Sequence, residues 1–176
     1  MTGSPQPKSG VRSRTPAAAR LSAARLAAVQ ALYQIEIAGG EVNDVVEEFL
    51  LHRSSRAGGD DAAFESDSGL FEQLVREVMR RRDALDEALS GALDASWPLA
   101  RLEIILRCIL RVGTCELVGR RDVPARVIIT EHVDLAHAFY DGPEPGMVNG
   151  VLDRLARSLR PGELEDGNRD GSAASQ

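Results

Sequence analysis

The segment "EHVDLAH", residues 131–137, carries the side chains best suited to chemistry: His132, Asp134 and His137. Two histidines five positions apart point about 140° away from each other around a helix, so they cannot hold one metal ion as histidines four positions apart do. The sequence contains no phosphate-binding P-loop, no G-x-S-x-G and no G-x-G-x-x-G. We therefore expect these histidines to be structural or exposed, and we predict no metal site and no cofactor.

Two acidic residues, Glu116 and Glu131, fall on apolar faces of predicted helices. Paired carboxylates can serve acid–base catalysis, but neither a nucleophile nor a polar pocket accompanies them here. A buried carboxylate needs a partner. For Glu116 we expect that partner to be the free N–H groups at the start of the helix that begins near Pro124. The sequence predicts a structural role for both residues and a protein that is not an enzyme.

The two cysteines, Cys108 and Cys115, lie seven positions apart in one predicted helix. Their side chains are then roughly 10 Å apart along the axis, too far for a disulfide, and the spacing does not suit zinc. We expect free thiols in a reducing compartment. The sequence has no apolar run of about 18 residues and no hydrophobic signal-peptide core, so we predict a cytoplasmic protein that does not contact a membrane.

The elements that hold these residues are predicted to be helices throughout. Hydrophobic residues make up 43% of the chain and aromatic residues only 4%, with leucine and alanine dominant. The apolar spacing predicts an all-α domain of about seven helices in two sub-bundles, divided at the loop 54–69. Helices are expected over 17–38, from 43 or 44, from 70, from Pro98 to 118, over 124–139 and up to 161. We expect a disordered basic arm over 1–16, a folded domain over 17–160 and a disordered acidic tail over 161–176.

Charge is distributed unevenly along a chain whose net charge is −6. Residues 1–37 carry five basic residues and one acid, whereas residues 41–68 carry eight acids and two arginines. A basic end on an acidic body can steer that end toward phosphates. An ordinary solvated arm has the same composition, and the sequence leaves both interpretations open.

The dipeptide Asn149-Gly150 is typical of a hairpin turn. The surrounding apolar residues, however, recur at helical spacing, and a glycine inside a helix costs about 1 kcal/mol relative to alanine. We expect both residues in the first turn of the last helix, on the face opposite its apolar stripe and beside Arg154 and Arg157. Gly150 then either helps to form an anion site at the helix start or lets another helix cross closely. The sequence does not decide between these alternatives.

The first predicted helix presents a strip of small and polar side chains. Alanines would let a phosphate backbone approach, and the glutamines could reach base edges. An ordinary solvated helix face is the alternative. Arg25 falls off the strip, and we expect it to extend around the helix toward solvent. The strip consists of Arg20, Ala23, Ala27, Gln30 and Gln34.

Four segments in order resemble the NusB family of transcription antitermination factors. They are "AVQALYQIE" at 28–36, "LRVGTCEL" at 110–117, "RRDVPARVIITEHVDLA" at 120–136 and "MVNGVLDRLA" at 147–156. The resemblance covers about residues 17–160. It implies seven helices in two sub-bundles and binding of boxA-type RNA together with the ribosomal protein NusE. It also implies a place in the RNA polymerase antitermination complex that reads through terminators, notably in ribosomal RNA operons.

The resemblance and the two helix surfaces together predict an RNA-binding site. Family members often carry an arginine run where this chain has 21–24, "LSAA", and an aromatic residue where it has Met147. Tyrosine and asparagine are usual where it has Cys115 and Thr130. The predicted RNA-binding residues are Arg20, Arg25, Gln30, Met147, Asn149, Gly150 and Arg154.

Two other functions are alternatives to RNA binding. Similar helical domains precede certain ribosomal-RNA cytosine methyltransferases, but this chain lacks the glycine-rich cofactor domain and the catalytic cysteine that such enzymes need. The second alternative is a protein-binding or self-associating module, for example a homodimer, with little RNA binding.

Overall fold

The structure, a computed structural model, describes residues 15–56 and 67–164. Within these ranges the chain folds into seven α-helices, which confirms the predicted all-α fold. Most of the predicted arm and tail, and the middle of the loop 54–69, fall outside the described residues. The helices are α1 (Pro16–Ala38), α2 (Val42–Arg56), α3 (Ser68–Arg80), α4 (Arg82–Ala92), α5 (Ile104–Gly119), α6 (Ala125–Phe139) and α7 (Glu144–Leu159).

The boundaries of α1 follow from its sequence. The side chain of Thr15 accepts a hydrogen bond from the Ala18 N–H at 3.3 Å. Pro16 occupies the first helical position, where a backbone N–H would have no acceptor within the helix. At the other end Gly39 adopts a φ of 68°, a left-handed conformation that glycine reaches without strain. The structure thus confirms the helix predicted between 17 and 38.

Helix α5 lies at the centre of the fold and packs against α1, α3, α4, α6 and α7. Every residue from Cys108 to Leu117 is buried, so this helix is enclosed on all sides. Helices α1, α2 and α3 pack on one another as the first sub-bundle, and α4, α6 and α7 pack with α5 as the second. The division therefore falls between α3 and α4 and not at the loop 54–69, where the sequence analysis placed it, because α3 packs back on α1 and α2. The packing against α5 is what fixes the first sub-bundle to the second.

Three boundaries differ from the sequence prediction. The apolar pattern that starts at Leu70 is interrupted at Arg81, where the backbone (φ −105°, ψ 12°) separates α3 from α4. Pro98 does not begin α5, because a short 3-10 turn, Leu99–Arg101, comes first. Leu164 is 9% exposed, so the packed domain continues beyond residue 160. None of the described helices combines the length and the apolar character needed to cross a membrane.

Candidate nucleic-acid interface

Arg25 is buried, contrary to the expectation that it reaches solvent. Arg25 is 3% exposed, and its guanidinium forms a bidentate pair with Glu116 through Nε (2.7 Å to Oε2) and Nη2 (2.9 Å to Oε1). Its Nη1 also donates to Glu131 at 3.5 Å. The prediction of an extended, solvent-reaching Arg25 was therefore wrong. Its position on α1 faces α5 and α6, and the two carboxylates hold it there.

Glu116 has a different partner from the one expected. It is fully buried and is approached by Arg25, by His132 (Nε2 to Oε2, 3.6 Å) and by Arg120 (Nη1 to Oε1, 3.6 Å). Burial alone would raise the pKa of Glu116, but the Arg25 hydrogen bonds and the neighbouring charges outweigh burial and lower it. The start of α6 is instead served by Glu163, which accepts the Ala125 N–H at 3.0 Å.

His132 completes this buried cluster, which joins α1, α5 and α6. Its Nδ1 lies 2.8 Å from the Ile128 carbonyl, so Nδ1 carries the proton and donates it there. Burial lowers the pKa of His132, so the ring stays neutral, and its Nε2 has no hydrogen-bond partner. Ser22 extends the cluster by donating to Glu131 at 2.5 Å. The structural role predicted for both carboxylates agrees with this geometry.

The strip predicted on α1 is only partly available. Ala27 is fully buried, and the Gln34 amide donates to Glu48 of α2 at 3.1 Å. Arg20 and Gln30 are exposed, as predicted. An exposed aromatic side chain, Tyr33 at 42%, stands one helical turn after Gln30 and was missed in the sequence analysis. It lies within the quoted segment "AVQALYQIE", but its spacing also suits a core position, so the sequence did not mark it as exposed.

Asn149 and Gly150 lie in the second turn of α7 and Arg154 in the third, so of the residues predicted there only Met147 lies in the first turn. Because α7 begins at Glu144, the amides of Asn149 and Gly150 are not among the free donors of the first turn, and that part of the prediction was wrong. A Cβ added at Gly150 would meet only Arg154 Nη2, at 4.0 Å. None of the described helices crosses there, so the structure does not support the close-crossing interpretation, and the backbone at Gly150 is open.

The other α7 residues are held to different degrees. Arg154 donates through Nη1 to the Ala92 carbonyl at 2.5 Å and pairs through Nη2 with Asp94 at 3.2 Å, which ties α7 to the end of α4. Asn149 is exposed, whereas Met147 is half-buried against the core. The charge of Arg154 is thus already partly balanced by an acid.

The structure does not pack the two predicted surfaces directly on each other. Helix α1 packs against α2, α3 and α5, while α7 packs against α4, α5 and α6. Helix α6 reaches α1 through Glu131, which accepts hydrogen bonds from Ser22 and Arg25. A joint site would therefore combine residues of two helices that make no extensive contact with each other.

The buried thiols cannot act as nucleophiles. Burial raises the pKa of Cys108 to about 12 and that of Cys115 to about 11, and neither forms a disulfide. In the described part of the chain, no group of histidine, cysteine and carboxylate side chains is arranged to hold a metal ion.

Comparison with known proteins identifies the family. A profile of the NusB family matches residues 22–157. The chain is 49% identical over 145 residues to the transcription antitermination protein NusB of Nitrobacter hamburgensis, which covers 82% of this chain and 91% of that protein. It is 47% identical over 138 residues to the corresponding protein of Rhizobium rhizogenes, covering 78% and 86%.

Solved structures agree with this assignment. T. maritima NusB superimposes with a TM-score of 0.64 and 28% identity, covering 77% of this chain and 89% of that one. The structure of the antitermination factors NusB and NusE in complex with dsRNA has the same fold, with a TM-score of 0.62 and 23% identity, covering 78% and 96%. The resemblance in the four sequence segments is confirmed, and this chain belongs to the NusB family of transcription antitermination proteins.

Proposed function

We propose that this protein binds boxA-type RNA jointly with NusE and takes part in the cytoplasmic RNA polymerase complex that reads through terminators. Family membership supports this function, as does the related structure in which NusB and NusE are in complex with dsRNA. Ribosomal RNA operons are the proposed setting, because the family resemblance implies them.

The observation that carries the proposal is the exposed pair Gln30 and Tyr33 on α1. Proteins read unpaired RNA bases by stacking them on aromatic rings and by hydrogen bonds to their edges. Tyr33 is 42% exposed and supplies a ring, and Gln30 supplies an amide one turn away on the same helix. Arg20, exposed nearer the start of α1, adds a cation for the phosphate backbone.

Helix α7 supplies the second part of the proposed surface. The open backbone at Gly150 lets a sugar or phosphate approach without meeting a side chain, and the exposed Asn149 amide lies next to it. Arg154 borders this patch. Arg25 is not part of the proposed surface, because its guanidinium is enclosed; it acts by fixing α1 to α5 and α6.

Weak binding by the protein alone is expected. The chain carries a net charge of −6, and the arginines of α7 pair with acids, Arg154 with Asp94 and Arg157 with Asp153. Phosphate contacts supply much of the affinity of nucleic-acid complexes. With few uncompensated cations on α7, NusE should be needed to raise the affinity for RNA.

The proposal is tested by titrating boxA RNA with the protein in the presence of NusE. Tyr33→Ala should weaken binding by about 1–3 kcal/mol, the usual value of one base–aromatic stack. Gln30→Ala and Gly150→Leu should each weaken it by about 1 kcal/mol or more. Phe139→Ala, at the end of α6, removes an aromatic side chain that is as exposed as Tyr33, at 42%; it is the matched control and should bind like the parent. Unchanged affinity in all three variants, with circular dichroism confirming their fold, would refute the site.

A protein-binding or self-associating role is the second candidate. Three large apolar side chains on α1 and α2 are exposed: Tyr33 at 42%, Ile37 at 58% and Leu51 at 65%. Such residues suit a homodimer or another protein contact. Light scattering measures the mass of the parent and of Ile37→Glu. If the parent is a dimer and the variant is a monomer that keeps its RNA affinity, self-association is a separate property of the protein.

A further inference from the structure

A small surface cavity lies between the start of α5 and the connection from α6 to α7. It measures about 270 Å³, and two half-buried aromatic side chains, Trp97 and Tyr140, line it. The buried side chains of Leu102 and Leu106 add an apolar lining. Sites for drug-sized ligands are typically about 300–1,000 Å³, so this cavity suits a single long side chain better than a cofactor.

The charged residues around the cavity make it acidic. Glu103 and Glu144 line it together with one cation, Arg101. The Tyr140 hydroxyl donates to Glu103 Oε2 at 3.0 Å, which orients that carboxylate. Burial raises the pKa of the Tyr140 hydroxyl, and the hydrogen bond to Glu103 and the charges of Glu103 and Glu144 raise it further. The cavity is therefore lined by two carboxylates, one of which is held by the Tyr140 hydroxyl.

Aromatic faces next to carboxylates form a site for a cation. An arginine guanidinium is planar, stacks on aromatic rings and forms two parallel hydrogen bonds with a carboxylate, whereas its methylene groups pack on apolar side chains. We propose that this cavity, lined by Trp97, Glu103, Tyr140 and Glu144, receives an arginine side chain of a basic protein partner. The net charge of the chain, −6, also favours a basic partner.

The proposal can be tested on the full chain because Trp97 is its single tryptophan. The probe is arginine with acetylated and amidated ends, and the neutral control is the matching citrulline compound, which has the same shape without the charge. Fluorescence and the indole N–H resonance of Trp97 are followed during each titration. Saturable binding of blocked arginine is expected, with citrulline binding roughly tenfold more weakly, the change expected when a hydrogen bond loses its charge.

The proposal predicts that substitutions around the cavity change the affinity for blocked arginine in opposite directions. Glu103→Gln and Glu144→Gln should each weaken binding of blocked arginine roughly three- to tenfold, since glutamine keeps the shape and removes the charge. Arg101→Gln should strengthen it, because a competing cation is removed. Glu47→Gln, exposed on α2, is the matched control and should have no effect.

Three outcomes would overturn the proposal. Blocked arginine and citrulline could bind equally, which would remove the role of charge. Trp97 could fail to respond to blocked arginine at all. Adenosine monophosphate could perturb Trp97 where blocked arginine does not, which would make the cavity a nucleobase site. None of these results depends on the proposed binding of boxA RNA, so the two proposals fail separately.

Discussion

Replacing Arg25 by methionine should destabilise the fold without acting on an RNA contact. The substitution keeps most of the apolar stem and removes the guanidinium. Glu116 would then lose two hydrogen bonds, at 2.7 and 2.9 Å, while remaining fully buried. Its one remaining cationic neighbour among the described residues, Arg120, approaches only to 3.6 Å. His132 also lies 3.6 Å away, but burial keeps its ring neutral.

Removing one partner of a buried ion pair typically costs roughly 3–5 kcal/mol, because the other charge is left without compensation. We expect a loss of this size for Arg25→Met, which corresponds to a fall in melting temperature of about 10 °C or more. Replacing both partners, as in Arg25→Met with Glu116→Leu, removes the uncompensated charge. The double variant should therefore be more stable than Arg25→Met alone.

Urea unfolding followed by circular dichroism measures these differences, and Arg20→Ala is the matched control on the same helix. Arg20 is exposed, so its replacement should leave stability almost unchanged while weakening RNA binding. The reasoning fails if Arg25→Met is as stable as the parent and loses RNA affinity, because Arg25 would then have to reach the surface. Equal stability of the single and double variants would also contradict it.

Three further predictions concern the same core. Gly113→Ala should be about 1–3 kcal/mol less stable than Gly119→Ala in thermal unfolding, because its Cβ would lie 2.9 Å from a methyl of the fully buried Leu152, whereas nothing lies within 4 Å at Gly119. In the folded protein the pKa of His132 lies below its ordinary 6.5, so the unfolded chain binds more protons, and the free energy of unfolding should fall as the pH drops below about 6.5, by up to about 1.4 kcal/mol per pH unit. In His132→Gln the free energy of unfolding should depend less steeply on pH over that range, and an identical slope would exclude His132 as the cause. Arg160→Met should cost about 3 kcal/mol in urea unfolding, because buried carbonyl oxygens at the end of α5 lose their donor, and a cost no larger than that of the exposed Arg157→Met would refute this.

The sequence predicted helices well because apolar spacing is a local property. The end of α1 at Gly39 follows from residue types that can be read directly. The break at Arg81 was missed because neither proline nor glycine marks it, and the 3-10 turn after Pro98 was missed because proline also suits the start of an α-helix. Such boundaries depend on packing between helices, which spacing along one helix does not contain.

The environment of the arginines was predicted less well than the helices, because the sequence does not state whether an arginine is exposed. Arg160 is 1% exposed and donates to the carbonyls of Glu116, Leu117, Arg120 and Val123, so it holds the end of α5. The sequence analysis did not assign Arg160 a structural role, because the last helix was expected to end beside it, at residue 161. Helical-wheel positions placed Arg25 off the proposed strip, but only the carboxylates of α5 and α6 determine that it points inward.

The buried arginines of this fold have a structural role that differs from the role of the exposed ones. Arg25 fixes the direction of α1 against α5 and α6, and Arg160 fixes the end of α5 near the start of α6. On the proposed RNA-binding surface, α1 and α7 are thus held in place by arginines that are themselves buried, 3% exposed for Arg25 and 1% for Arg160. A rigid surface loses little conformational entropy when it binds. We therefore expect the proposed RNA-binding surface to keep its geometry with few arginines at the start of α1, and to depend on NusE for most of its affinity.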